Sequence, residues 1–288
     1  MAPAPAPEPA LGDLVLAVRA AVFPTMTGMV RAVRHRGSGA SGQADSPLLP
    51  VESRRPAAVA TALCAGVTLV LGVTVHGHAS ADGLDRTIDH WFHQSIGRHR
   101  GILNLISLGT PITVAVLTVV LVVVCLVARR WRAAALVAIA VLAASALTEF
   151  LLKPFIGRKM GAGTGSFPSG HAAGAFALAV AVCVLLAQPL RMEPVQRRLL
   201  SLGTLLAATV VSVALVGLNH HYFTDIIGGA AVATAVVLLT AFGLDWLGAL
   251  WRPRRGPPRQ PLVPHSPAGT SASSSRADLE ASECRTMY

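Results

Sequence analysis

The chain has 288 residues, 53% of them hydrophobic and only 13% charged, with a mean hydropathy of +0.58. That balance is too apolar for a soluble domain of this length and points to an all-α, polytopic membrane bundle. A net charge of +10 invites a nucleic-acid reading, but the basic residues are scattered between apolar runs and are not interleaved with aromatics on one surface, which excludes that class of partner.

Residues 1–56 form an Ala/Pro/Arg-rich amino-terminal segment. Within it, 14–23 is too short and wrongly flanked for a cleaved signal peptide. Residues 11–35 read either as an amphipathic helix that turns Arg19, Arg31 and Arg34 toward lipid headgroups or as a loosely ordered tail. Residues 57–250 contain six uncharged runs, at about 57–80, 101–128, 133–148 (extending to Lys153), 171–190, 199–219 and 226–244. Most approach the roughly 20 residues a helix needs to cross hydrocarbon, and none alternates in polarity as a barrel strand does. Residues 251–288, rich in Pro, Ser and Arg, read as a disordered basic tail.

The Lys and Arg residues set the orientation. Eighteen fall in the two terminal segments and the turns at 129–132 and 191–198, and six fall in the alternate loops: Arg86, Arg98, Arg100, Lys153, Arg158 and Lys159. Positive charge is retained inside, so both termini are expected in the cytoplasm of a multi-pass cell-membrane protein. Cys64, Cys125 and Cys183 lie within spans and read as small apolar core residues, with Cys284 in the tail.

Chemistry concentrates in two external loops. Lys153 through Lys159 leaves the third span, and a Gly-rich stretch from Gly161 to Gly165 leads to Pro168-Ser169-Gly170-His171 at the start of the fourth. This outlines an anion site, because Ser169 and the adjacent amides can donate, the following helix presents its positive end, and Lys153 and Arg158 add full charges. The chain's only two lysines, Lys153 and Lys159, both lie here. Before the sixth span comes His221-Tyr222-Phe223-Thr224-Asp225. If the chain is helical there, His221 and Asp225 share a face and the carboxylate can fix the imidazole tautomer. The simpler alternative is that Asp225 or Thr224 caps the span while His221 anchors at the interface.

These residues resemble the type 2 phosphatidic acid phosphatases, which include lipid phosphate and polyprenyl pyrophosphate phosphatases, over about 57–247. The family's second motif is complete at Pro168 to His171, and its third retains His221 and Asp225. Its first motif would place Arg-Pro on Met160-Gly161, and its third would place Ser-Arg on Ala214-Leu215, so two phosphate-binding arginines are missing. The resemblance implies an active site at the external interface, with no cofactor or metal. His221 is then the nucleophile, His171 the acid and base, Asp225 the orienting carboxylate, and Lys153, Arg158, Ser169 and Gly170 the phosphate ligands. Removing one arginine from a transition-state oxyanion costs on the order of 3 kcal/mol where its charge is fully used.

The function so implied is hydrolysis of a phosphomonoester or pyrophosphate on a lipid, through a phosphohistidine. Candidate substrates are phosphatidic acid, diacylglycerol pyrophosphate, phosphatidylglycerol phosphate and polyprenyl phosphates. A weak or inactive lipid-phosphate-binding or transport protein is the alternative, and a vanadate haloperoxidase, a mostly soluble class, a more distant one. The sequence leaves the oligomeric state open.

Weaker signals lie elsewhere. His76, His78, His90, His93 and His99 gather around the first external loop; His90 and His93 with Asp89 could mimic metal ligands, but beside Trp91 interfacial anchoring is the better reading. Glu149, one turn before Lys153, is expected to pair with it, because a lone intramembrane carboxylate is costly. His220 is a competing nucleophile without the spacing to Asp225.

Overall fold

The computed structural model describes residues 47–78, 83–96, 110–160, 165–188 and 192–251. The segment 11–35, most of the Gly-rich stretch, His99 and the tail after Trp251 lie outside the described residues. Among the described residues every regular element is helical: α1 (Val51–Thr74), α2 (Gly83–Ile96), α3 (Pro111–Val127), α4 (Trp131–Ala146), α5 (Gly170–Ala187), α6 (Pro194–Gly217) and α7 (Phe223–Leu250). α4 runs on through a π-helical segment, Leu147–Leu152, and a last turn, Lys153–Ile156, so its apolar length is 26 residues. With α1, α5, α6 and α7 it makes five helices long and apolar enough to cross a membrane, and α3 is a shorter apolar helix of 17 residues. All six apolar runs seen in the sequence are thus matched by apolar helices.

Helix boundaries follow local chemistry. Pro111 and Pro194 stand at first-turn positions, where a missing N–H costs nothing, so α6 starts five residues before its uncharged run and takes Arg197 and Arg198 into its first turns. Gly157, at φ +64°, adopts the left-handed conformation that ends the last turn of α4. Intrahelical threonines are tolerated because their hydroxyls bond back to carbonyls four residues earlier: Thr61 to Ala57, Thr118 to Val114, Thr148 to Ala144 and Thr234 to Ala230, all at 2.7–2.8 Å.

The centre is packed by small residues. Leu136, Val137, Ala140 and Ala144 of α4 meet Ala177 and Ala181 of α5 and Ala233, Val237 and Ala241 of α7, all fully buried or nearly so. Small side chains let helices approach closely where lipid removes the hydrophobic drive to associate. One close approach is at Gly229 of α7, where a Cβ would lie 2.5 Å from the Ser169 carbonyl oxygen and 3.0 Å from Ala172 Cβ. α7 is thereby pressed against the first turn of α5. Large apolar side chains such as Leu63, Leu69, Leu202 and Leu206 face outward, as lipid contact requires.

The chain reverses at each connection, so α1, α4 and α6 end where α3, α5 and α7 begin. At this end Gly77 N–H donates to Ile156 O and Lys159 N–H to His78 O, both at 3.0 Å, joining the loops after α1 and α4. At the opposite end Asp245 accepts the Leu48 and Leu49 amides at 2.7 and 3.0 Å and pairs with Arg132 at 2.6 Å, fixing the chain as it enters α1.

Candidate active site

The motif Pro168 to His171 folds as a helix start. Ser169 is the N-cap of α5, its Oγ accepting from Ala172 N at 3.3 Å while its own N–H donates to Asp225 O at 3.0 Å. That second bond joins the two histidine motifs directly. Phe167, fully buried, packs its ring where Gly228 has no side chain. His171 then sits in the first turn of α5, its ring centroid 6.0 Å from that of His221.

Lys153 reaches the same helix start. Its Nζ donates to both Glu149 oxygens, at 2.6 and 2.8 Å, the pairing expected from their spacing. A Cβ on Gly170 would overlap Glu149 Oε1 and lie 3.6 Å from Lys153 Nζ, so a side chain there would push the Glu149 carboxylate from its place across the entrance of α5.

His221 precedes α7 and is not part of it. The helix begins at Phe223, so the four-residue spacing to Asp225 does not produce the helical geometry assumed from sequence. His221 Nδ1 lies 3.7 Å from Asp225 Oδ2, too far for a hydrogen bond, and is buried with no partner. Asp225 Oδ2 accepts from the Tyr222 amide at 3.2 Å, so this carboxylate both caps α7 and stands behind the histidine. His220 is exposed.

Arg158 is placed otherwise than the motif reading expects. Its side chain is fully buried, with Nη1 on Asp225 Oδ1 and Thr224 Oγ1, both at 2.7 Å, and Nη2 on Asp85 Oδ2 at 2.5 Å. The Tyr222 ring lies 4.3 Å below the guanidinium carbon. Burial works against the charge, but Asp225 and Asp85 outweigh it and hold the Arg158 pKa above its ordinary value. Both terminal nitrogens serve carboxylates, so Arg158 faces the back of the site and not a bound phosphate.

No sequence motif singles out Asp85, and α2 as a whole reads in the sequence only as a histidine-bearing loop. Its signal is the four-residue spacing of Asp85, Asp89 and His93, which puts them on one helical face. Asp85 accepts from the Thr224 amide at 3.0 Å and Thr224 Oγ1 at 2.8 Å, Asp89 accepts from the Phe223 amide at 3.1 Å, and His93 Nδ1 lies 3.1 Å from Gly217 O. This face of α2 grips both ends of the α6–α7 connection that carries His221. Among the described residues no group of three or more His, Cys, Asp or Glu is placed to hold a metal.

Asp89 Oδ2 is buried without a partner, and the Asp89 pKa is raised to about 6, first by burial and then by the nearby Asp85 and Asp225 charges, against the Phe223 N–H and Arg158. The folded state therefore holds this proton more tightly than the unfolded chain. The stabilisation is complete below the unfolded value of 3.8 and is lost as pH rises through about 6. Asp89→Asn keeps the acceptor for Phe223 and is expected to flatten the pH dependence of thermal unfolding between these two values; an unchanged profile counts against it.

The arginine positions of the family motifs are occupied differently. Leu215 is 2% exposed and packs with Ala172, Val216 and Ile226, with Phe92 of α2 against the cluster. Position 215 therefore supplies apolar packing and no charge.

The fold defines a multi-pass helical membrane protein. Residues 134–249, the segment that carries both histidine motifs, match the model of the PAP2 superfamily. The structure is similar to the crystal structure of a transmembrane PAP2-type phosphatidylglycerolphosphate phosphatase from Bacillus subtilis, with a TM-score of 0.54 and 18% identity, covering 67% of this chain and 98% of that one. Comparison with curated proteins finds no match.

Proposed function

We propose that the protein hydrolyses a phosphomonoester or pyrophosphate on a membrane lipid, at the outer face of the cell membrane, with both termini cytoplasmic. The observation that carries this reading is the pair of imidazoles, His171 and His221, 6.0 Å apart at the start of α5, with Asp225 behind one of them. Two imidazoles flanking an anion-favouring helix start can act on opposite sides of a phosphorus atom.

His221 Nδ1 faces Asp225, which leaves Nε2 to attack phosphorus. As the N–P bond forms and the bond to the leaving oxygen breaks, His171 gives that oxygen its proton. A water deprotonated by His171 then attacks the phosphohistidine, releasing phosphate and restoring His221. Lys153, Ser169 and the Gly170 amide supply charge and N–H or O–H donors to the phosphoryl oxygens, and Arg158 contributes through Asp225. The Nδ1 to Oδ2 gap of 3.7 Å closes to a hydrogen bond when substrate draws positive charge onto His221.

Protein dispersed in detergent and offered phosphatidic acid, diacylglycerol pyrophosphate, phosphatidylglycerol phosphate and polyprenyl phosphates is expected to release inorganic phosphate from at least one of them, with chelator present as without. A second reading, a protein that binds or moves lipid phosphates without cleaving them, draws on Leu215 and on the engagement of Lys153 by Glu149. Saturable lipid-phosphate binding with no phosphate release would decide for it.

A further inference from the structure

Three buried charges stand behind His221: one cation, Arg158, and two carboxylates, Asp85 and Asp225, each 0% exposed at the side chain. Arg158 is divided between the carboxylates, Nη2 on Asp85 at 2.5 Å and Nη1 on Asp225 at 2.7 Å. These three side chains together carry one excess negative charge, to which the neighbouring Asp89, with a pKa of about 6, adds its own at higher pH. Away from water that excess is poorly screened, and among these side chains Asp225 Oδ2, at 3.7 Å, is the oxygen that meets His221.

A lone Arg158–Asp225 pair would behave differently. The guanidinium would settle wholly on Asp225, and the pair would present no net charge to the imidazole. Orientation of the tautomer and stabilisation of charge on His221 both depend on a carboxylate not already cancelled by its neighbour.

We infer that Asp85, on α2, is a positioning residue for the reaction: by drawing half of Arg158 away, it leaves Asp225 with the negative charge that serves His221. The inference rests on the proposed role of His221. It also gives α2 a function, because the helix that supplies Asp85 holds the His221 connection through Asp89 and His93. Asp85 further fixes Thr224, through both its amide and its hydroxyl, beside Asp225.

The charge arithmetic makes the test specific. Asp85→Asn keeps an acceptor for the Thr224 amide but removes one negative charge, leaving Arg158 and Asp225 to cancel each other. Adding Arg158→Gln restores the single excess charge, while Asp85→Glu never loses it. The expected result is a fall in kcat of about 10- to 100-fold for D85N with KM within about twofold of wild type, recovery of about tenfold or more in D85N/R158Q over D85N, and a far smaller loss in D85E. A D85N enzyme at wild-type kcat, or a double variant no better than D85N, overturns the inference, since a purely structural Asp85 would make a second buried change additive or worse.

Carbethoxylation of His221 by diethyl pyrocarbonate at pH 8, followed by mass spectrometry on the full chain, reads the same effect with no substrate. It is expected to slow several-fold in D85N and to recover in the double variant; equal rates in all three proteins overturn the inference. If wild-type protein releases no phosphate, the phosphatase reading fails, and the carbethoxylation rates still decide whether Asp85 controls His221.

Discussion

His221→Ala is expected to release no inorganic phosphate above background, a loss of about a thousandfold or more, and to retain no covalently bound phosphoryl group after quenching with a labelled substrate. The size follows from the role. In the proposed mechanism His221 is the group that attacks phosphorus opposite His171. The neighbouring His220→Ala is the informative control, because His220 is exposed and is not the histidine aligned on Asp225. It should keep most of the activity. His171→Ala should differ again, losing turnover yet accumulating phosphoenzyme from substrates whose leaving group needs no proton. Substantial turnover in the His221→Ala protein would sink the phosphohistidine mechanism, and loss in both His220→Ala and His221→Ala would leave the nucleophile unassigned.

The largest effect on stability is expected from Arg158→Ala. The substitution leaves Asp85 and Asp225, both fully buried, facing each other without a cation, and it opens a void over the Tyr222 ring. Breaking a buried ion pair from one side typically costs about 3–5 kcal/mol, because the desolvation of the remaining charge is no longer offset. Thermal unfolding in detergent should show a marked loss. Removal of an exposed cation such as Arg54 should cost little by the same measure. A near-neutral Arg158→Ala protein would mean that water reaches the carboxylates and that the cluster is not the buried unit described above.

Much of the fold can be read in the sequence because a lipid-facing helix must be apolar along its whole length. Runs of Val, Leu and Ala between arginine-bearing turns therefore report spans directly. The Glu149–Lys153 pair is equally accessible, since two residues four apart inside one helix meet whatever else the chain does. The same rule fails at His221 and Asp225, because the helix begins only at Phe223 and the histidine lies on the extended chain before it. Arg158 escapes sequence reading for a different reason. Motif spacing relates it to phosphate, whereas its partner Asp85 lies 73 residues away on a helix with no strong hydropathy signal. Such pairings are set by how the loops close over the bundle, and no local periodicity records them. Leu215 shows in the sequence only as a missing charge; its packing against Ala172 and Ile226 is what makes the exchange structurally coherent.

The carboxylate of Glu149 occupies space directly over Gly170, bound through both oxygens to Lys153. If the proposed phosphate site is right, a phosphate arriving there must trade places with an anion already in residence. The affinity measured for a ligand is then the difference between two ion pairs, and the lysine never stands bare at the edge of hydrocarbon. After the proposed hydrolysis the exchange would run backwards, with the returning glutamate competing for Lys153 against free phosphate. The resting site thus carries an anion that the proposed product phosphate would have to yield to.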